Sequence, residues 1–173
     1  MKPLPTRQGG RLLAALSPRL YVQLSPERLT VRDVRSGQSL SDTPWLAIRH
    51  RDGRAHVAAM GRAAERLAHE PGVTIVNPFA HPRTIISDFT AAEQLLKAFI
   101  RQWRPRKLLQ PAPWIVIHPL PMAEGGYTQV ELRALRELAL GAGAAGVDVW
   151  IGPALRDDQV RDRAFPPGGE LAD

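Results

Sequence analysis

The stretch from Trp114 to Ile151 constrains the fold most, because it reads as strand, loop, helix, glycine stop and strand in one run. Trp114-Ile115-Val116-Ile117-His118 is a short apolar, β-rich segment. Pro119-Leu120-Pro121 closes it, since proline cannot donate to a ladder. Thr128-Gln129-Val130-Glu131 has the T-x-x-E form of a capping box. Val130, Leu132, Leu135, Leu138 and Ala139 then give a helical apolar stripe that stops at Gly141-Ala142-Gly143. Val147-Asp148-Val149-Trp150-Ile151 is a second buried strand. Two strands joined by one helix make a βαβ unit, whose parallel strands belong to sheets covered by helices.

The upstream chain supplies antiparallel material. Leu20–Leu24 and Arg28–Val34 alternate as strands do, with Ser25-Pro26-Glu27 as the turn between them. Pro44–Arg49 predicts a third strand and Ala55–Met60 a fourth, joined by the hairpin Arg51-Asp52-Gly53-Arg54. A helix is expected from Arg62 to about His69, packing Ala63, Leu67 and Ala68, and Pro71-Gly72 stops it. Val73–Val76 is a short extended piece. Thr90-Ala91-Ala92-Glu93 reads as a second capping box, opening a helix with Leu95, Leu96, Phe99, Ile100 and Trp103 on its apolar face until Pro105. Periodicity alone therefore predicts a mixed α/β domain with antiparallel and parallel parts.

A length of 173 residues suits one domain with a modest core. The chain has no cysteine, which excludes disulfides and thiolate chemistry. No apolar run approaches the roughly 20 residues that cross a bilayer. These features together predict a cytoplasmic protein. The net charge of +6 permits attraction to nucleic acid, anionic lipid or an acidic partner. Arg101, Arg104, Arg106 and Lys107 cluster around Trp103, but four basic residues beside a helix end read as a solvated face, so nucleic acid is not an expected partner. Residues 1–18 read as a flexible basic leader in which Arg11 to Leu16 could form a short amphipathic turn. Residues 156–173 read as a flexible acidic tail.

Tyr127-Thr128-Gln129-Val130-Glu131-Leu132-Arg133-Ala134-Leu135-Arg136-Glu137, followed by Gly141-Ala142-Gly143-Ala144, resembles the T-Q-V-E-R-R-A-I-R-E…G-A-G-A segment of the MreB family of bacterial actin-like rod-shape proteins. Val57-Ala58-Ala59-Met60-Gly61-Arg62-Ala63-Ala64 and Ile86-Ser87-Asp88-Phe89 are similar to that family's V-A-A-V-G-x-x-A and I-A-D-F. The resemblance covers residues 19–155 and implies the ribonuclease-H-like half-domain of actin-like ATPases, with a small subdomain inserted around residues 44–85. It also implies contact with the inner membrane through the N-terminal end, hence peripheral localisation by way of Arg11 to Leu16.

That family holds ATP and magnesium in a D-x-G-T turn, and the matching turn here reads Gln23-Leu24-Ser25-Pro26. The carboxylate has become an amide, the glycine a serine, and the last position a proline without an N–H. Glu131 matches the family glutamate near the attacking water and is the remaining candidate for catalysis. It is also the third residue of the capping box, a role that needs no nucleotide. Glu124-Gly125-Gly126 is a glycine-rich loop before a helix and a candidate anion loop. The family's E-E-P reads Ile151-Gly152-Pro153, and the resemblance fades near Leu155 before any second phosphate loop.

His50, His56, His69, His81 and His118 show no metal-ligand spacing and read as surface or strand-end residues. Catalytic and nucleotide-binding sequence signatures are otherwise absent. The expectation is a non-catalytic, actin-like interaction protein linked to cell-shape machinery, with no cofactor. A half-domain of this kind would leave an apolar sheet face bare, predicting self-association or a protein partner. The alternatives are an ATP-binding half completed by another chain, with Mg-ATP held by Glu131 and the 124–126 loop, and a basic nucleic-acid-binding module.

Overall fold

The computed structural model describes residues 17–103, 111–120 and 125–172. The leader segment from Arg11 to Leu16, the basic positions Arg104 to Lys107 and Glu124 lie outside the described residues.

Six strands form the main sheet: β1 (Arg19–Leu24), β2 (Leu29–Asp33), β3 (Ser39–Asp42), β7 (Trp114–Pro119), β8 (Gly146–Ile151) and β9 (Glu170–Ala172). Their spatial order is β3-β2-β1-β7-β8-β9. The first three are antiparallel, β1 pairs parallel with β7 and β7 parallel with β8, and β9 returns antiparallel on the far edge. This is the mixed sheet that the βαβ unit and the first hairpin predict.

The third strand of the meander differs from expectation. It is Ser39–Asp42, whose single apolar residue in four hides it from a periodicity search. The segment 44–49 instead leaves the main sheet. Strand β4 (Leu46–Arg51) pairs with β5 (Arg54–Met60) and β6 (Val73–Val76) in a separate three-stranded sheet. The helix expected at 62–69 is one turn, α1 (Arg62–Glu65), and it buries Ala64 where Ala63, Leu67 and Ala68 were expected to pack. Gly61, at φ 63°, makes the bend between β5 and α1, and a Cβ there would sit 2.1 Å from Oδ2 of Asp42. Only glycine takes that backbone without strain.

Helix α2 (Phe89–Trp103) is capped by Asp88, whose Oδ1 accepts from the Ala91 amide at 2.9 Å. Thr90 therefore lies inside the helix, and Glu93 pairs with Lys97 one turn on instead of closing a capping box. Helix α3 (Gln129–Gly141) has the full Thr128/Glu131 capping box. Both helices cover one sheet face, where Leu95, Leu96 and Phe99 meet Leu135, Leu138, Ile115, Ile117 and Val149. Val130, assigned by its spacing to the apolar stripe, points outward and is 78% exposed. Its neighbour Leu132 turns toward the core instead.

The opposite sheet face, expected to be bare, is covered by the chain itself. Tyr21, Val34, Val116 and Trp150 pack with Leu155 and Val160, and Phe165 stacks on Trp150 with ring centroids 5.3 Å apart. Val160 lies on α4 (Asp157–Asp162). The segment read as a flexible acidic tail thus contains a helix and the edge strand β9. Polar contacts fasten it: Arg32 to Asp157 at 2.6 Å, and Arg136 to the Ala172 carbonyl at 2.6 Å.

Candidate functional site

The C-terminal ends of β1 and β7, the N-terminus of α3 and the 77–86 loop enclose a cleft of about 600 Å³. Pro26, His81, Arg83, Gly126, Thr128 and Glu131 are among its lining residues. It is where a parallel α/β sheet places ligands, outside the carboxyl ends of its strands.

Ser25 and Pro26 form the turn that follows β1. The Ser25 amide donates to the Arg28 carbonyl at 2.9 Å, and the Ser25 Oγ accepts from the Glu27 and Arg28 amides at 3.2 and 3.0 Å. Pro26 has no amide hydrogen, and its carbonyl accepts from the Asn77 side chain at 2.8 Å. Every backbone N–H from 25 to 28 is thus absent or already bonded within the turn. A phosphate cradle requires such amides to converge unpaired on one point. Ser25 also draws the turn toward itself, the closure that a short hydroxyl side chain commonly makes.

Glu131 is equally committed. Its Oε2 accepts from the Thr128 amide at 3.0 Å and hydroxyl at 2.9 Å, and its Oε1 accepts from the Ile85 amide at 3.2 Å. The Thr128 amide bond holds its carboxyl below the usual range, with burial opposing and the Thr128 hydroxyl, Ile85 and Thr84 adding to it. The carboxylate ties the 84–86 loop to the start of α3. Gly125 and Gly126 both adopt positive φ, 86° and 79°, and Gly126 reaches the cleft. Pro26 and Glu131 share this cleft, whereas Gln23 lies with Ser25, Glu27, Arg28 and Thr30 along a different one of about 450 Å³. Pro26, Gly126 and Glu131, one from each expected part of a phosphate site, therefore meet at one cleft, while Gln23 and Ser25 line the other.

Two buried polar clusters were not legible in advance. His118, read as a surface or strand-end residue, does lie at the end of β7 but is 1% exposed. Its Nε2 donates to the Gly152 carbonyl at 2.9 Å, which leaves Nδ1 to accept from the Tyr21 hydroxyl at 2.5 Å. The Tyr21 oxygen accepts in turn from the Leu155 amide at 3.2 Å. Burial pushes His118 below the ordinary imidazole value, against the pull of Gly152, and raises the Tyr21 phenol. Asp148, 7% exposed, accepts from both ends of the Arg163 guanidinium at 2.6 and 2.9 Å and from the Trp114 indole at 2.7 Å. The same guanidinium lies 4.7 Å from the Trp114 ring centroid. The available signal was a carboxylate inside the apolar strand Val147–Ile151, which demands a partner. Among the described residues there is no group of histidine and carboxylate side chains that could hold a metal, and no helix is long and apolar enough to cross a membrane.

Residues 28–154 match the family model described as MreB/Mbl protein. The cell shape-determining protein MreB of Haemophilus influenzae is 31% identical over 130 residues, 74% of this chain and 36% of that protein. MreB of Escherichia coli (strain K12) is 38% identical over 93 residues, 53% of this chain and 25% of that protein. The uncharacterized protein YjaA of Escherichia coli (strain K12) is 30% identical over 128 residues, 71% of this chain and 75% of that protein. The chain thus matches about a third or less of the MreB relatives' length. MreB5 of Spiroplasma citri bound to ADP superposes with a TM-score of 0.59 at 22% identity, over 78% of this chain and 38% of that one. The MamK double helical filament gives 0.52 at 17% identity, over 76% and 40%. At these identities the likeness shows an actin-like fold alone. With the family model matching nearly three quarters of its length, the chain belongs to the MreB/Mbl family.

Proposed function

We propose that this chain is a non-catalytic, self-associating actin-like element of the cell-shape cytoskeleton. The observation that carries this reading is the turn at 25–28, in which no amide is left for a phosphate. Glu131, occupied by the Thr128 cap and the Ile85 amide, supports it as well. The relatives named for cell-shape determination supply the cytoskeletal setting, and the likeness to a filament-forming fold supplies association.

Helix α3 offers a surface for such association. Val130, Arg133, Glu137 and Leu140 follow the 3-4-3 spacing of one helical seam and are all exposed. Among the described residues, neither Arg133 nor Glu137 makes an ion pair. In an antiparallel, two-fold pairing, Val130 meets Leu140 of the partner subunit and Arg133 meets Glu137 of the partner subunit. The pattern is its own complement, as an isologous interface requires.

The second reading, an ATP-binding half completed by another chain, is favoured by the cleft beside Glu131 and by the nucleotide in the Spiroplasma citri MreB5 structure. Isothermal titration with Mg-ATP, with light scattering on the same sample, separates the two. Absence of binding heat together with a mass above the monomer is expected. Micromolar binding of Mg-ATP overturns the non-catalytic reading.

A further inference from the structure

The β4–β5 hairpin of the small sheet carries a charge arrangement that folding does not explain. Its two-residue turn, Asp52-Gly53, has positive φ at both positions, 52° and 71°, which fixes a rigid tip whose twist matches its strands. In the register that follows, Arg51 faces Arg54 and Arg49 faces His56. Cross-strand partners share a face and alternate residues along a strand return to it. Arg49, Arg51, Arg54 and His56 therefore all project from one side of the ribbon.

Like charges placed directly opposite destabilise a hairpin. Compensation within the chain is slight. Arg49 reaches Glu70 at 2.5 Å, while Arg51 and Asp52 stand 3.8 Å apart with side chains 81% and 91% exposed. Among the described residues, Arg54 and His56 have no carboxylate partner. Residues 44–85 hold six arginines against Asp52, Glu65 and Glu70, a surplus of three that is half the net charge of the whole chain.

The C-terminal segment of a second copy is a poor source of the missing anions, because Asp157, Asp158, Asp162 and Asp148 are already paired with arginines of their own chain. A bilayer is a poor match too, because the Asp52-Gly53 tip has no apolar side chain to insert. A double-stranded nucleic acid fits better. It carries one charge per roughly 1.7 Å of axis, and its major groove admits a two-stranded ribbon. Arginine, the basic residue used throughout the hairpin, forks onto phosphate oxygens in pairs.

We propose that the face formed by the arginines Arg49, Arg51 and Arg54, with His56 beside them, docks on the phosphate backbone of a nucleic-acid duplex without reading its sequence. The contact is separate from the α3 seam and does not depend on the cytoskeletal reading. The test is fluorescence anisotropy of a labelled random-sequence duplex titrated with the full chain between about 50 and 200 mM salt, where three arginine–phosphate contacts give a slope of log K against log salt near −3. Arg51→Ala/Arg54→Ala is expected to weaken binding at least tenfold at low salt and to reduce the slope by about 2. Because it also removes a like-charge pair, its melting temperature should equal or exceed that of the unaltered chain, so lost binding is not lost folding. The proposal is overturned if the duplex does not bind, if the double variant binds as well as the original, or if vesicles of anionic lipid bind more tightly than the duplex and through the same arginines.

Discussion

The Tyr21 hydroxyl stands 2.5 Å from Nδ1 of His118, beneath the segment that closes the second sheet face. With Gly152 on the other ring nitrogen and Leu155 on the phenol oxygen, two strands of the sheet and the start of the C-terminal cover share one hydrogen-bonded chain. The neutral ring is the form that suits it, because Nδ1 must accept.

This arrangement makes stability depend on pH in a defined direction. The folded imidazole titrates below its unfolded value of 6.5, so the unfolded chain binds the extra proton. Stability from His118 is complete above pH 6.5 and is lost as pH falls from there through the folded value. Urea titrations from pH 7.5 down to 5 should show this decline, and His118→Gln should flatten it. His118→Ala, which takes the acceptor from the Tyr21 O–H and the donor from the Gly152 carbonyl and opens a cavity, should cost about 2 to 4 kcal/mol at pH 7.5. Equal pH slopes in the original and the Gln variant would assign the titration to another group.

The Asp148 cluster predicts how firmly the C-terminal cover is held. Asp148→Ala strands the Trp114 indole and frees the Arg163 guanidinium, at an expected cost of about 1 to 3 kcal/mol in denaturant unfolding. Tryptophan emission should shift to the red as the cover loosens over Trp114 and Trp150. A variant with unchanged emission and midpoint would mean the apolar contacts of Val160 and Phe165 suffice alone.

Removing the Ser25 hydroxyl should release the amides of Glu27 and Arg28. Ser25→Ala is expected to lose about 1 kcal/mol, the usual worth of a bond of this kind. Hydrogen exchange at those two amides should accelerate while neighbouring strand amides stay protected. Unaltered exchange would show that the turn is held by the Ser25 amide and the Asn77 contact instead.

The α3 seam is testable by exchanging its charges. Arg133→Glu places two acidic residues opposite each other at both ends of the two-fold contact and should reduce association by roughly tenfold. Adding Glu137→Arg restores opposite charges and should restore the mass seen by light scattering. If the double variant stays dissociated like the single one, the antiparallel pairing is wrong.

Much of the architecture was legible because it depends on neighbours in sequence. The alternation of Leu20–Leu24 and Leu29–Val31, the Asp52-Gly53 tip and the Thr128/Glu131 box are local devices, and each is found in place. The altered turn at Gln23, Ser25 and Pro26 was also visible, since losing a glycine and an amide needs no coordinates to recognise. Which residues cover which face was not legible. Periodicity put Val130 inward, the acidic composition after Leu155 put that segment outside the fold, and tertiary packing reversed both. A helix stripe wider than its contact leaves some apolar residues outside, and a mostly polar segment becomes ordered when a few residues such as Val160 meet an apolar sheet. The sequence by itself determined the first hairpin, the βαβ unit, the Thr128/Glu131 cap and the altered residues of the turn after β1, because those follow from bonded geometry and spacing. Only the tertiary structure decided that Ser25 consumes the turn's donors, that His118 is buried and neutral, and that the chain closes its own sheet, because these depend on side chains meeting across many residues.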